Sequence, residues 1–184
     1  MRKLKTFYGF RLTKDLTEKQ LEIRGDMMAM LFNIDKEGVC WYDRREEFAE
    51  DTLKVKFMDD GVIVSYDMKP YNLYPEGANI GEVSLEDVPA DFKLPGYWLF
   101  KDNKIVVDFE GAKIGAERFR DRKMSTVTEQ INQLVAAEED GDITPAEDVL
   151  LAKLRSYRST LRRMPLDDAP NVKWPDLPVL EEEE

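Results

Sequence analysis

Leu53-Lys54-Val55-Lys56-Phe57 alternates apolar and basic residues, the period of two that marks a half-buried strand. Asp59-Asp60-Gly61 follows, then the apolar run Val62-Ile63-Val64-Ser65-Tyr66. An Asp-Gly step between two such runs is a strong short-range signal for a β-hairpin. On either side, two more pairs have the same form. Residues 30–34 and 39–42 flank the turn-like Asp35-Lys36-Glu37-Gly38, and residues 97–100 and 104–108 flank Asp102-Asn103. Residues 13–24 carry a weak helical spacing. The stretch Pro70-Tyr71-Asn72-Leu73-Tyr74-Pro75-Glu76-Gly77 reads as a loop or an edge, because proline cannot donate to a sheet ladder. Residues 88–96, bounded by Val88-Pro89 and Pro95-Gly96, form another connection.

The texture changes near residue 112. Of the 19 Phe, Trp and Tyr residues, only Phe119, Tyr157 and Trp174 lie beyond it, and of the glycines only Gly115 and Gly141 do. Aromatics favour strands and glycine marks turns, so this skew separates a β-rich first part from a helical second part. Met124, Val127, Ile131 and Leu134 recur at 3-4-3 spacing, one face of a helix. Asp140-Gly141-Asp142 ends it, with Gly141 suited to the position after a helix terminus. Thr144-Pro145-Ala146-Glu147 restarts a helix through a capping box, with proline at the first helical position. Leu150, Leu154, Tyr157, Leu161 and Met164 then recur at 4-3-4-3 spacing. Two such stripes joined by a short turn predict an antiparallel helical hairpin. The expected fold class is α+β, with an N-terminal β-rich domain of antiparallel hairpins and a C-terminal helical hairpin. The expected divisions are residues 1–111, 112–164 and a Pro-rich acidic tail over 165–184.

Composition works mainly by exclusion. The chain has 184 residues, a net charge of −11, no histidine and one cysteine. Nucleophilic catalysis by Ser-His-Asp or Cys-His lacks its base. A structural zinc site lacks its usual ligands. No Gly-x-x-x-x-Gly-Lys-Ser/Thr cradles a phosphate, and no Gly-x-Gly-x-x-Gly occurs. Asp140-Gly141-Asp142 fails the spacing of a calcium loop and reads as a plain turn. With 38 acids, no glycosidase pair can be singled out. No enzyme activity, cofactor or metal is therefore expected. The acidic balance disfavours a nucleic-acid backbone as partner. The basic opening Met1-Arg2-Lys3-Leu4-Lys5 is not followed by the ~7–15 apolar residues of a signal peptide. The longest apolar run, residues 27–32, falls far short of the ~20 a membrane span needs. Cys40 has no basic neighbour within two residues and reads as a small core residue.

The aromatic clusters are the candidate contact residues. Core packing is the plain reading for Trp41 and Trp98, whereas Tyr71 and Tyr74 lie in a Pro-flanked loop where burial is less assured. Arg155, Arg158 and Arg162 line a stripe beside the apolar face of the second helix. They suit a solvated face that complements the helix C-terminus, or a docking surface.

The most specific pattern lies at the C-terminal end. Asp142-Ile143-Thr144-Pro145-Ala146-Glu147 is followed by Leu151, Tyr157-Arg158, Leu161, Ala169-Pro170 and Trp174-Pro175-x-x-Pro178. This order resembles the tail fibre assembly chaperones of tailed bacteriophages, including those of phage-tail-like bacteriocins. The resemblance extends through Leu31-Phe32, Gly38, Trp41-Tyr42, Phe48, Asp51-Thr52-Leu53-Lys54-Val55 and Asp60-Gly61-Val62-Ile63. It continues at Trp98, Lys104-Ile105-Val106 and Ala116-Glu117-x-x-Arg120, and so runs from Leu31 to Pro178.

The resemblance implies a chaperone that binds the distal, C-terminal tip of a fibre and promotes its folding and trimerisation. Binding only the folded tip would pull the equilibrium toward it without ATP. The expected fibre-facing residues are Trp41, Tyr42, Tyr71, Leu73 and Tyr74. The helical hairpin, with Arg155, Arg158 and Arg162, is expected to brace that part or mediate self-association. The Trp174-Pro175 tail is expected to pack back on the helices. The expected location is the host cytoplasm, with retention on the assembled fibre as a variant. The alternative reading is a fibre-tip adhesin that binds host surface polysaccharide through its aromatics.

Overall fold

The computed structural model describes residues 3–26 and 30–180; Met27 to Ala29 of the apolar run and the terminal Glu181 to Glu184 lie outside them. The chain divides into two compact units, Met1–Asp108 and Phe109–Glu184.

The first unit is built on the hairpin predicted around Gly61. Strand β4 (Thr52–Phe57) pairs antiparallel with β5 (Ile63–Asp67), with a register shift between Lys56 and Phe57. Gly61 takes φ +90°, and the Asp60 carboxylate accepts the Val62 N–H at 3.0 Å to close the turn. The far edge of β4 is taken by β6 (Asn79–Ser84), and the far edge of β6 by β1 (Thr6–Phe7). The sheet order is therefore β1-β6-β4-β5. Neither β6 nor β1 is marked in the sequence. Asn79-Ile80-Gly81-Glu82-Val83-Ser84 carries Gly, Glu and Asn where strand formers would be expected.

Both faces of this sheet are covered. On one face Leu53, Val55, Phe57 and Val83 meet Trp98, Phe100 and Ile105. These last residues come from the hairpin of β7 (Trp98–Lys101) and β8 (Lys104–Val107). Its turn sets Asp102 and Asn103 at φ 51° and 57°, as a two-residue type I′ turn requires. The Phe100 ring stacks on Phe57 at 4.4 Å and lies over Gly81, where a Cβ would overlap it. On the other face Phe7, Phe10, Trp41, Phe48, Leu73 and Ile80 form a second core.

Two-sided burial corrects the reading of β4 as half-buried. Lys54 is 0% exposed and its cross-strand neighbour Glu82 is 1% exposed. Each is satisfied by polar groups at the sheet end. The Lys54 ammonium donates to the carbonyls of Thr52 at 2.8 Å, Met68 at 3.0 Å and Ala49. The Glu82 carboxylate accepts from the Lys5 N–H at 2.7 Å, the Thr52 hydroxyl at 2.8 Å and the Ala49 N–H at 3.0 Å.

The hairpin predicted across residues 35–38 is reduced to a bridge. β3 (Asn33–Ile34) pairs with β2 (Arg11–Leu12), and Ile34 makes a single bridge to Cys40. Residues 41–44 are helical, not extended: α2 (Trp41–Arg44) starts at a Cys40 cap, and Cys40 is buried as expected. The cause is Asp35. One carboxylate oxygen accepts the Glu37 and Val39 N–H groups, both at 2.9 Å, while the other accepts Arg44 Nε at 2.7 Å and draws the chain back. Upstream, the weak helical spacing resolves as α1 (Glu18–Arg24), fixed by a Thr17–Gln20 capping box. Residues 70–77 are a loop with one 3-10 turn at Pro70–Asn72.

In the second unit α3 (Phe109–Asp140) and α4 (Pro145–Arg163) form the predicted antiparallel hairpin. Gly141 has φ +74°, and the Thr144–Glu147 capping box is present in both directions. Val127, Ile131, Leu151, Leu154, Tyr157 and Leu161 make the core between the helices. The tail does pack back: Leu166 and Ala169 lie on Ala112 and Ala116, and Trp174 meets Phe119 edge-on at 4.8 Å.

The carbonyls around Lys54 make a direct prediction. Lys54→Met keeps the stem but strands buried acceptors, which should cost roughly 3–5 kcal/mol. The urea unfolding midpoint of the variant measures it; an unchanged midpoint would contradict the assigned role.

Candidate partner-binding site

The site starts from a buried guanidinium. Arg44 is 9% exposed, and its position is set by α2 and the Asp35 turn. Besides Asp35 it reaches Glu47 Oε1 at 2.9 Å and Glu37, and its plane lies 4.4 Å from the Phe7 ring centre. Burial opposes the charge, but hydrogen bonds to Glu47, Asp35 and Glu37 outweigh it and raise the Arg44 pKa. The hydrogen bond from Arg44, against an opposing effect of burial, and then that from Lys5 hold the Glu47 carboxyl below its ordinary range.

The next residue turns outward from this clamp. Arg45 lies between two rings, 4.8 Å from the centre of Tyr42 and 4.6 Å from that of Tyr71. The Tyr71 hydroxyl donates to Glu46 at 3.2 Å, and Arg45 Nε donates to the same carboxylate at 3.2 Å. Tyr42 donates to the Leu31 carbonyl at 3.3 Å and packs edge-on to Phe32 at 5.3 Å. The result is an aromatic–cation–aromatic stack fixed at both ends. Such stacks gain from cation–π attraction and present rigid amphipathic surface.

The predicted contact residues thus divide. Tyr71 is 57% exposed and Tyr74 43% exposed, while Tyr42 is half-buried. Trp41 and Leu73 are each 4% exposed and sit in the core with Phe10 and Phe48, behind the tyrosines. Trp41 and Leu73 therefore support the surface and do not form it. Arg155, Arg158 and Arg162 lie on α4 in the other unit. Arg155 pairs with Glu138 at 3.7 Å, Arg162 is exposed and Arg158 is half-buried. Sequence reasoning missed Arg45 and Glu46, whose charges read as ordinary solvated surface. The available signal was the Arg44-Arg45 pair two residues after Trp41-Tyr42, since arginine beside aromatics can stack. Among the described residues no three acidic or cysteine side chains gather as a metal site, and no helix is long and apolar enough to cross a membrane.

Residues 43–179 match the family described as Caudovirales tail fibre assembly protein, lambda gpK. The chain is similar to the probable tail fiber assembly protein of Escherichia phage P2, 26% identical over 145 residues, or 78% of this chain and 82% of the relative. It is also similar to tail fiber assembly protein U of Escherichia phage Mu, 25% identical over the same shares. A shorter match, 34% identical over 73 residues, is to tail fiber assembly protein U' of phage Mu, covering 39% of this chain and 40% of that one. The family match begins inside α2, so it takes in Arg44, Arg45, Glu47 and Tyr71.

The Arg44–Glu47 contact should be visible in acid. A carboxylate held below its ordinary 4.5 stabilises the fold fully above that value and loses the contribution as pH falls through the folded value. Glu47→Gln should therefore lower the urea midpoint at pH 7, and the two proteins should converge as the pH falls from 4.5 through the folded value. Parallel midpoint curves across that range would contradict the assignment.

Proposed function

Because the chain belongs to the tail fibre assembly protein family, we propose that it works in tail fibre assembly as a chaperone. It binds the distal, C-terminal tip of a phage or phage-tail-like bacteriocin fibre and promotes folding and trimerisation in the host cytoplasm. The observation that carries the binding site is the Tyr42–Arg45–Tyr71 group, with Tyr71 57% exposed and the group tied by Glu46 and the Leu31 carbonyl. Arginine and tyrosine dominate hot spots, and a stack already locked in place loses little entropy on binding.

The mechanism needs no nucleotide. Intertwined β-rich trimers depend on non-local pairings that form slowly and leave edges and apolar surface exposed meanwhile. A partner that covers those surfaces blocks aggregation, and preferential binding to the folded tip shifts the equilibrium by mass action. In this reading the stripe of Arg155, Arg158 and Arg162 on α4 serves self-association of the helical unit.

Co-expression tests the reading. A cognate tail fibre protein, co-expressed with this chain, should be soluble and trimeric only when this chain is present. Arg45→Ala and Tyr71→Ala should each weaken fibre binding by about tenfold or more, the loss of ~1.4–2 kcal/mol at a hot spot. A soluble trimeric fibre formed without this chain would overturn the chaperone reading. Binding of host polysaccharide by the isolated chain, with no binding to fibre, would replace it with an adhesin.

A further inference from the structure

The edge of the sheet at β1 faces a cavity of about 290 Å³, lined by Thr6, Phe7, Tyr8, Asp35, Lys36 and Glu37. Its chemistry follows from strand alternation. Thr6 pairs with Gly81 and Phe7 with Ile80, while the Glu82 N–H donates to the Lys5 carbonyl at 3.0 Å. Lys5 and Phe7 therefore aim their backbone groups at β6, and Thr6 and Tyr8 aim theirs away from it. The outward direction is visible at Tyr8, whose carbonyl accepts the Lys36 N–H at 2.9 Å. Among the described residues, nothing pairs with the Thr6 N–H or C=O; only its hydroxyl is engaged, by Asn103 at 3.0 Å.

We propose that this edge is a strand-docking site, which takes an extended backbone segment of the fibre as an added strand beside β1. The inference rests on the fibre-binding reading and specifies how part of the contact is made. One residue offering both a donor and an acceptor along a strand edge is matched by one residue of an antiparallel partner strand. The cavity has room for a short length of chain only, since the Asp35-Lys36-Glu37 turn closes the edge beyond Thr6 by occupying the Tyr8 carbonyl. The mouth also carries charge for the incoming strand. The Glu37 side chain is 76% exposed and only one of its oxygens accepts Arg44, so a basic side chain on that strand can reach the other. The site is continuous with the tyrosine–arginine stack: Phe7 lines the cavity and packs under Arg44, and Arg45 is the next residue. A partner that still has unpaired strand edges while it folds is the kind this edge can take.

Thr6→Pro tests the donor. Proline removes the outward N–H, and an edge position whose N–H faces away from the ladder tolerates it. With the cognate tail fibre protein from the co-expression test as probe, Thr6→Pro should weaken binding by about tenfold. Thr6→Val, which loses the hydroxyl but keeps the N–H, should bind within about twofold, because the hydroxyl faces Asn103 and not the cavity. Hydrogen exchange on the unsubstituted complex gives a second readout: the Thr6 amide should slow on fibre binding. Full affinity in a folded Thr6→Pro protein, or an unprotected Thr6 amide in the complex, overturns strand docking and leaves fibre binding standing. If the unsubstituted chain binds no fibre at all, both readings fall.

Discussion

The β-rich unit depends on two charges buried side by side in the middle of its sheet. Lys54 and Glu82 face each other across β4 and β6 with almost no solvent contact. A buried charge is tolerable only where hydrogen bonds replace its water. Here the replacements are carbonyls and N–H groups of residues 5, 49, 52 and 68, so the network also ties the N-terminal strand and the ends of β4 and β5 together. It fixes register as well. A slip of one residue would turn Lys54 toward Phe57 and Phe100, where no carbonyl waits. Apolar residues could fill the same volume but would not penalise that slip.

The second buried cation, Arg44, does for the surface what Lys54 does for the sheet. Its three carboxylate partners come from the Asp35 turn and the turn after α2, and its plane covers Phe7. Arg45 is held between Tyr42 and Tyr71, residues 29 positions apart in the chain, because one lies on α2 and the other on the loop that Pro70 opens. Preorganised aromatic surface is what a partner can use cheaply.

The parts of this molecule legible in sequence are those whose signals are local. The Gly61 turn, the Asp102-Asn103 turn, the Thr144 capping box and the two helical stripes all announce themselves within a few residues, and each stands where it was expected. The same holds for the Trp174 tail on the helices. The parts that were not legible are set by distant partners. β6 looks polar because Glu82 and Asn79 are satisfied by groups far along the chain, and because Gly81 leaves room for the Phe100 ring. Residues 39–42 have strand composition, yet the chain turns helical from Trp41, where the Asp35–Arg44 pair draws it back. At the site, the residue types and the resemblance pointed to Trp41, Tyr42, Tyr71, Leu73 and Tyr74 alike. Only the fold shows that Trp41 and Leu73 are buried in the core and that Arg45 lies against the rings of Tyr42 and Tyr71.

The tie between Asn103 and Thr6 spans 97 positions. On a ribosome, the first strand has nothing to pair with until β6 has emerged, and this tie cannot form until the β7–β8 turn has followed. Most of the first unit must therefore be synthesised before its opening residues are held. The helical hairpin closes between neighbours in sequence, and its last-made residues find their partners as soon as they appear. Within the first unit, residues made early are thus among the last to be secured.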